Sequence, residues 1–189
     1  SREMATAIEA AGDELDALVR ALAVLREASP RVSDHVISRG ERLSARLLAG
    51  ALQASGAKAA LVDALDAVIT DGPYGDVTPD LVATRTAAQQ SIRPLLNRRV
   101  IAVVPGFLGR ARDGGTATLG RGGSDLTATT LGRALDAASV TLWKDVPGLL
   151  TADPRVVPDA RLLPLVHPSE AAELAYYGAK VLHPRALLP

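Results

Sequence analysis

The chain has 189 residues, 48% of them apolar, with 21 basic and 21 acidic side chains and no cysteine. That size and apolar content support one domain with a buried core and exclude a disordered chain. Balanced charge, with one Trp, three Tyr and one Phe, argues against a nucleic-acid binder built on basic patches or base-stacking platforms. Disulfide and thiol chemistry are excluded, which fits the cytoplasm. No apolar run is long enough to span a bilayer. The histidines His35, His167 and His183 are scattered and lack metal-binding spacing.

Met4, Ile8, Ala11, Leu15, Leu18, Leu22 and Leu25 recur at steps of four and three. The spacing predicts a helix that breaks near Ser29-Pro30. Ser38-Arg-Gly-Glu41 leads into a second helix, with Leu43, Leu47, Leu48, Ala51 and Leu52 expected on its inner side and Gly56 ending it. Short strands are predicted over 59–62 and 68–70. Thr78-Pro79-Asp80 reads as a helix start capped by Thr78, and the helix runs to about Asn97 with a bend at Pro94.

Val100-Ile-Ala-Val-Val104 is the strongest strand signal, and its unbroken apolar character predicts burial on both faces, as in a parallel sheet. Pro105-Gly-Phe-Leu-Gly109 follows at its carboxyl end, where open α/β sheets hold ligands. Residues 112–115 form a polar hairpin tip. Thr116-Ala-Thr-Leu-Gly-Arg-Gly-Gly-Ser-Asp125 comes next, and a helix follows over 126–137. Its glycines let amide groups approach a ligand, a helix start adds free N–H groups, and Arg121 offers a fork for a carboxylate or phosphate. The stretch reads as an anion cradle or, equally, as a glycine-rich turn capped by Ser124 or Asp125. Further on, strands are predicted over 140–143 and 149–151, an irregular loop through Arg155, and a helix from Pro168 to about Tyr177 ended by Gly178-Ala-Lys180.

Strands alternating with helices give an α/β fold with a mostly parallel sheet and no clear internal boundary. Six segments, in order, carry a more specific signal: Ser38-Arg-Gly-Glu41, Pro105-Gly-Phe-Leu-Gly109, Thr118-Leu-Gly-Arg-Gly-Gly-Ser-Asp125, Leu142-Trp-Lys-Asp-Val-Pro-Gly148, Thr151-Ala-Asp-Pro-Arg155 and Gly178-Ala-Lys-Val-Leu-His-Pro184. Together they resemble aspartate kinase, of the amino-acid kinase superfamily. The resemblance implies a three-layer αβα (carbamate kinase-like) fold. Residues 1–35 would be a helical segment, 36–137 mainly the amino-acid side and 138–189 mainly the nucleotide side. It implies ATP-dependent phosphorylation of the L-aspartate side-chain carboxylate, with Mg²⁺ accompanying the nucleotide.

By the same resemblance, Glu41 would hold the substrate α-ammonium and Arg121 its α-carboxylate, with Gly106 and Phe107 against the substrate. Ser124 would bond near the reacting groups, and Asp125 would organise a phosphate-binding lysine or the Mg²⁺ environment. Lys144, Asp145, Arg155 and Lys180 would face ATP. From the residues alone, Glu41 reads first as a plain first-turn carboxylate, Phe107 is equally a core aromatic, and each basic residue can be a solvated charge. Lys144 stands where many relatives carry Thr, and Leu150 where many carry Tyr. The family's opening Lys-Phe-Gly-Gly strand, whose lysine bridges the transferred phosphoryl, and its ACT region are not in these residues. Weak or no turnover by the chain alone is therefore expected, together with a homo-oligomer or the remainder of a larger enzyme as partner. Alternatives are a glutamate- or acetylglutamate-type kinase, or a non-catalytic nucleotide- or partner-binding fragment.

Overall fold

The computed structural model describes residues 2–153, 155–177, 182–187 and 189. Two long helices, α1 (Arg2–Leu25) and α2 (Pro30–Ala54), fold back on each other. Arg39 joins them by a fork to both carboxylate oxygens of Glu14, at 2.5 and 2.6 Å. The Ser29-Pro30 pair does more than stop α1. The Ser29 hydroxyl accepts the Val32 N–H at 3.3 Å, and Pro30 takes a first-turn position, where its missing N–H costs nothing. So α2 starts well before Ser38, and Glu41 lies inside the helix instead of at its start. The inner face also differs from expectation. Asp34, Ser38, Ala45 and Ala49 are buried, whereas Leu47 and Leu48 are 42% and 54% exposed. Small residues let α2 lie close on the strands beneath it.

Those strands are β1 (Ala59–Leu61) and β4 (Ile101–Val103), a parallel pair with Ala59 opposite Ile101 and Leu61 opposite Val103. Ala45, Ala49 and Leu52 of α2 pack with Val103 on one side. On the other, Val62, Ala67, Val68, Ala88, Ile92 and Ala134 form a second cluster with Ala102 and Val104. The result is helix, sheet, helix. Burial of 100–104 is uneven, with Ile101 48% exposed, because the pair is narrow and its outer edge meets solvent.

Between the parallel strands, Asp63 caps the short α3 (Ala64–Ala67). Next, β2 (Thr70–Asp71) pairs antiparallel with β3 (Thr78–Pro79). Thr78 is therefore in a strand, and the cap of α4 (Leu81–Ser91) is Asp80, whose carboxylate accepts the Val82 and Ala83 N–H groups at 3.0 and 2.9 Å. The expected break near Pro94 is present: α4 ends and α5 (Arg93–Asn97) begins with the proline in its first turn. β5 (Leu108–Arg110) and β6 (Thr116–Thr118) make an antiparallel hairpin, followed by α6 (Gly123–Ala134). α7 (Pro168–Tyr177) and a 3₁₀ turn (Pro184–Leu187) complete the described elements.

Two expected strands are not formed. Residues 140–143 are irregular, with Trp143 92% exposed, and 149–151 contribute only a bridge between Leu150 and Leu162. Among the described residues no strand lies beside 140–143, so its backbone has no ladder to join.

Candidate functional site

The site is built where β6 runs into α6. Asp34, buried in α2, accepts the Thr118 N–H at 3.0 Å, the Thr118 hydroxyl at 2.6 Å and the Gly75 N–H at 2.9 Å. That fixes the last residue of β6. The Leu119 N–H then donates to the Phe107 carbonyl at 2.9 Å, tying the turn to the loop after β4. Gly120 and Gly122 both adopt left-handed backbone, φ +70° and +71°, which side chains disfavour. Gly122 occupies the N-cap of α6, and neither Ser124 nor Asp125 caps the helix.

The loop over 105–107 packs directly on this turn. A Cβ at Gly106 would lie 3.1 Å from Ser124 Cβ, and one at Gly123 would lie 2.7 Å from the Phe107 ring. Phe107 itself has φ +69°, unusual for a bulky residue and worth reading as a functional constraint. Its N–H donates to the Thr127 hydroxyl at 2.9 Å, and that hydroxyl donates to the Gly123 carbonyl at 2.8 Å.

Asp125, in the first turn of α6, forms an ion pair with Lys144 at 2.6 Å, with both side chains largely covered. Thus Gly106, Phe107, Ser124, Asp125 and Lys144 meet around one helix start. Arg121 and Ser124 are exposed at its mouth. Among the described residues, Arg121 has no hydrogen-bonding or ionic partner, and neither does the half-buried Glu41. Glu41 shares the inner face of α2 with Asp34, Ser38 and Ala45, the face that packs toward β6, β1 and β4.

Other predicted residues are not drawn in. Asp145 is exposed. Arg155 forks onto Asp153 in its own loop at 3.0 and 2.7 Å, and this hydrogen bonding raises the guanidinium pKa above its ordinary value. Lys180 lies outside the described residues. Conversely, Asp34, Arg185 and the Arg42–Asp63 pair (2.6 Å), which also reaches Thr116, support the turn without any local sequence signal. At the hairpin tip, Tyr74 donates to Asp113, which holds that carboxyl low; burial, then Asp113, pushes the tyrosine up.

With this geometry in view, residues 3–189 match the family model described as "Amino acid kinase family". The chain belongs to the amino acid kinase family. Among family members it is 40% identical over 182 residues to lysine-sensitive aspartokinase 3 of Escherichia coli (strain K12), an alignment that takes in 94% of this chain and 40% of that protein. It is 42% identical to aspartokinase 1, chloroplastic, of Arabidopsis thaliana, over 94% of this chain and 32% of the relative. The crystal structure of E. coli aspartokinase III in complex with aspartate and ADP (R-state) superposes with a TM-score of 0.91 at 39% identity, covering 97% of this chain and 40% of that one. The lysine and aspartate complex (T-state) gives 0.88 at 38% identity, covering 100% and 42%. The chain thus spans about two-fifths or less of the length of these relatives.

Proposed function

We propose that the protein carrying this chain phosphorylates the side-chain carboxylate of L-aspartate with ATP, the first step toward lysine, threonine and methionine. The observation that carries the reading is the Asp125–Lys144 pair at the first turn of α6, beside an Arg121 with no partner of its own among the described residues. Similarity to aspartokinases, one of them crystallised with aspartate and ADP, supports the same substrate pair.

Both reactants are anions, and phosphoryl transfer is catalysed mainly by holding them in line and neutralising charge. A carboxylate is already ionised at neutral pH and needs no general base. In this reading Arg121 binds the α-carboxylate bidentately, Glu41 receives the α-ammonium, and Phe107, set by Gly106, walls the substrate. The hydroxyl of Ser124 donates near the reacting oxygen. Asp125 keeps Lys144 aimed at the phosphates, and Asp145, Arg155 and Lys180 belong to the nucleotide side. Residues 36–137 serve mainly the amino acid and 138–189 mainly the nucleotide.

Among the described residues no group of three His, Asp or Glu side chains stands ready to cage a cation. In this reading Mg²⁺ comes on the nucleotide phosphates, an arrangement that takes few protein carboxylates. Asp125 is the residue that would meet it, and the metal would neutralise phosphate charge. No helix among the described residues is long and apolar enough to cross a membrane; the reading puts the reaction in the cytoplasm, in a homo-oligomer or a larger enzyme.

The product is an acyl phosphate, which hydroxylamine converts to a hydroxamate. Trapping with aspartate, glutamate and N-acetylglutamate in parallel tests the assignment. Hydroxamate from aspartate alone is the expected result. Equal or greater yield from glutamate or its acetyl derivative transfers the assignment to those kinases, and no yield from any leaves a nucleotide- or partner-binding role.

A further inference from the structure

Arg121 stands between two left-handed glycines, and both rest on the same short segment near the end of the chain. A Cβ at Gly120 would meet Arg185 Nη1 at 3.4 Å and Asp76 Oδ1 at 2.6 Å. A Cβ at Gly122 would meet the His183 ring at 2.9 Å. The turn therefore sits directly on residues 183 and 185, one on each side of Arg121.

Arg185 is more than a neighbour. Its Nη1 donates to the Leu119 carbonyl at 2.9 Å and pairs with Asp76 at 2.5 Å, while Nη2 donates to the Val77 carbonyl at 2.9 Å. One planar fork thus braces two chain segments, 76–77 and 119–120, at the point where β6 ends. The side chain is 22% exposed, so these bonds are only partly open to water. Lysine has the charge and three donors, but on one nitrogen; it lacks the two nitrogens of the planar fork that here reach Leu119 and Asp76 on one side and Val77 on the other. A glycine-flanked arginine has soft peptide planes on both sides. With no side-chain partner among the described residues, Arg121 takes its direction from that backbone.

We propose that Arg185 is a positioning residue that, with His183 as a floor beneath Gly122, sets the direction of Arg121 and so the affinity for the substrate α-carboxylate. The proposal rests on the reading of Arg121 as the carboxylate partner. It predicts a selective effect: the amino-acid subsite loosens while the nucleotide subsite, approached through Lys144, does not.

The test is steady-state kinetics on the turnover-competent protein, with aspartate and ATP varied separately. Variants are Arg185→Met, Arg185→Lys, Asp76→Asn, Arg121→Lys and the Arg121→Lys/Arg185→Met double. Misplacing a binding group by an ångström costs up to about a hundredfold, so Arg185→Met is expected to raise the aspartate KM about tenfold. The ATP KM should stay within about twofold, and Arg185→Lys should recover little. In the Arg121→Lys background, Arg185→Met should add almost nothing, because its effect passes through Arg121. A parallel rise in both KM values, or full additivity in the double variant, overturns the proposal and leaves Arg185 a stability residue. If Arg121→Lys leaves the aspartate KM unchanged, the underlying reading of the site fails as well, whereas a large Arg121→Lys effect beside a silent Arg185→Met sinks only the positioning role. Should Arg185→Met not fold, Asp76→Asn decides: it removes the charge from a side chain that is 73% exposed and leaves a weaker amide acceptor for Nη1, and the same selective rise, though smaller, is expected.

Discussion

Asp34 is 2% exposed and accepts three hydrogen bonds, two of them from backbone N–H groups. Asp34→Ala strands those donors in the interior. The expected cost is about 3 kcal/mol, with Asp34→Asn milder because the amide oxygen still accepts. Urea unfolding measures both, and a loss below about 0.5 kcal/mol for Asp34→Ala would contradict the geometry. His35 gives a pH signature. Burial, then the Arg39 guanidinium with smaller contributions from Arg42 and Arg31, holds its imidazolium below the ordinary 6.5 against the opposing pull of Glu14. The unfolded chain then takes up that proton first as pH falls, so the His35 contribution is intact above 6.5 and is lost as pH drops from there toward the folded value. His35→Gln is expected to flatten that part of the stability profile. An NMR titration of His35 in the native protein with its midpoint at or above 6.5 would show the sign to be wrong.

At the scale of elements, caps decide boundaries that periodicity leaves open. Ser29 caps α2, and Ser29→Ala is expected to lower stability by about 1 kcal/mol. No measurable change would mean that α2 does not begin there. The helices themselves were legible, since apolar residues recurring every three or four positions have few other uses. Which face of α2 turns inward was not. Its leucines outweigh its alanines in hydrophobicity, yet Ala45 and Ala49 are buried while Leu47 and Leu48 are exposed, because the close approach of strands favours small side chains. The turn over 120–123 was legible because three glycines around an arginine permit the left-handed backbone that a tight turn needs. Its supports were not, because the bonds from Asp34 and Arg185 join residues 84 and 66 positions apart and leave no local pattern. Residues 140–143 show the converse: a strand-like composition without a neighbouring strand stays irregular.

At the scale of the molecule, the described residues carry one parallel pair and two short antiparallel pairs, and large apolar side chains remain in solvent. Trp143, Leu165 and Val156 are 92%, 90% and 78% exposed, with Leu162, Val157, Val140 and Val146 also open. Apolar surface of this kind marks contacts with other chains or segments. The 189-residue chain by itself is therefore expected to self-associate and to bind an apolar dye. Sedimentation showing a monodisperse monomer that leaves the dye dark would contradict this. The helix, sheet, helix layering was legible through α6, whereas residues 140–151 did not form their expected strands, and the exposure of this region depends on what covers it.

We propose that the glycine turn holds an amino-acid carboxylate through Arg121. Aspartate-dependent ADP release from Mg-ATP, compared between the native protein and Arg121→Ala, addresses it most directly. The substitution is expected to raise the aspartate KM by about a hundredfold or to abolish aspartate use, while the ATP KM changes little. An aspartate KM that stays in place, or an equal loss toward both substrates, would contradict it.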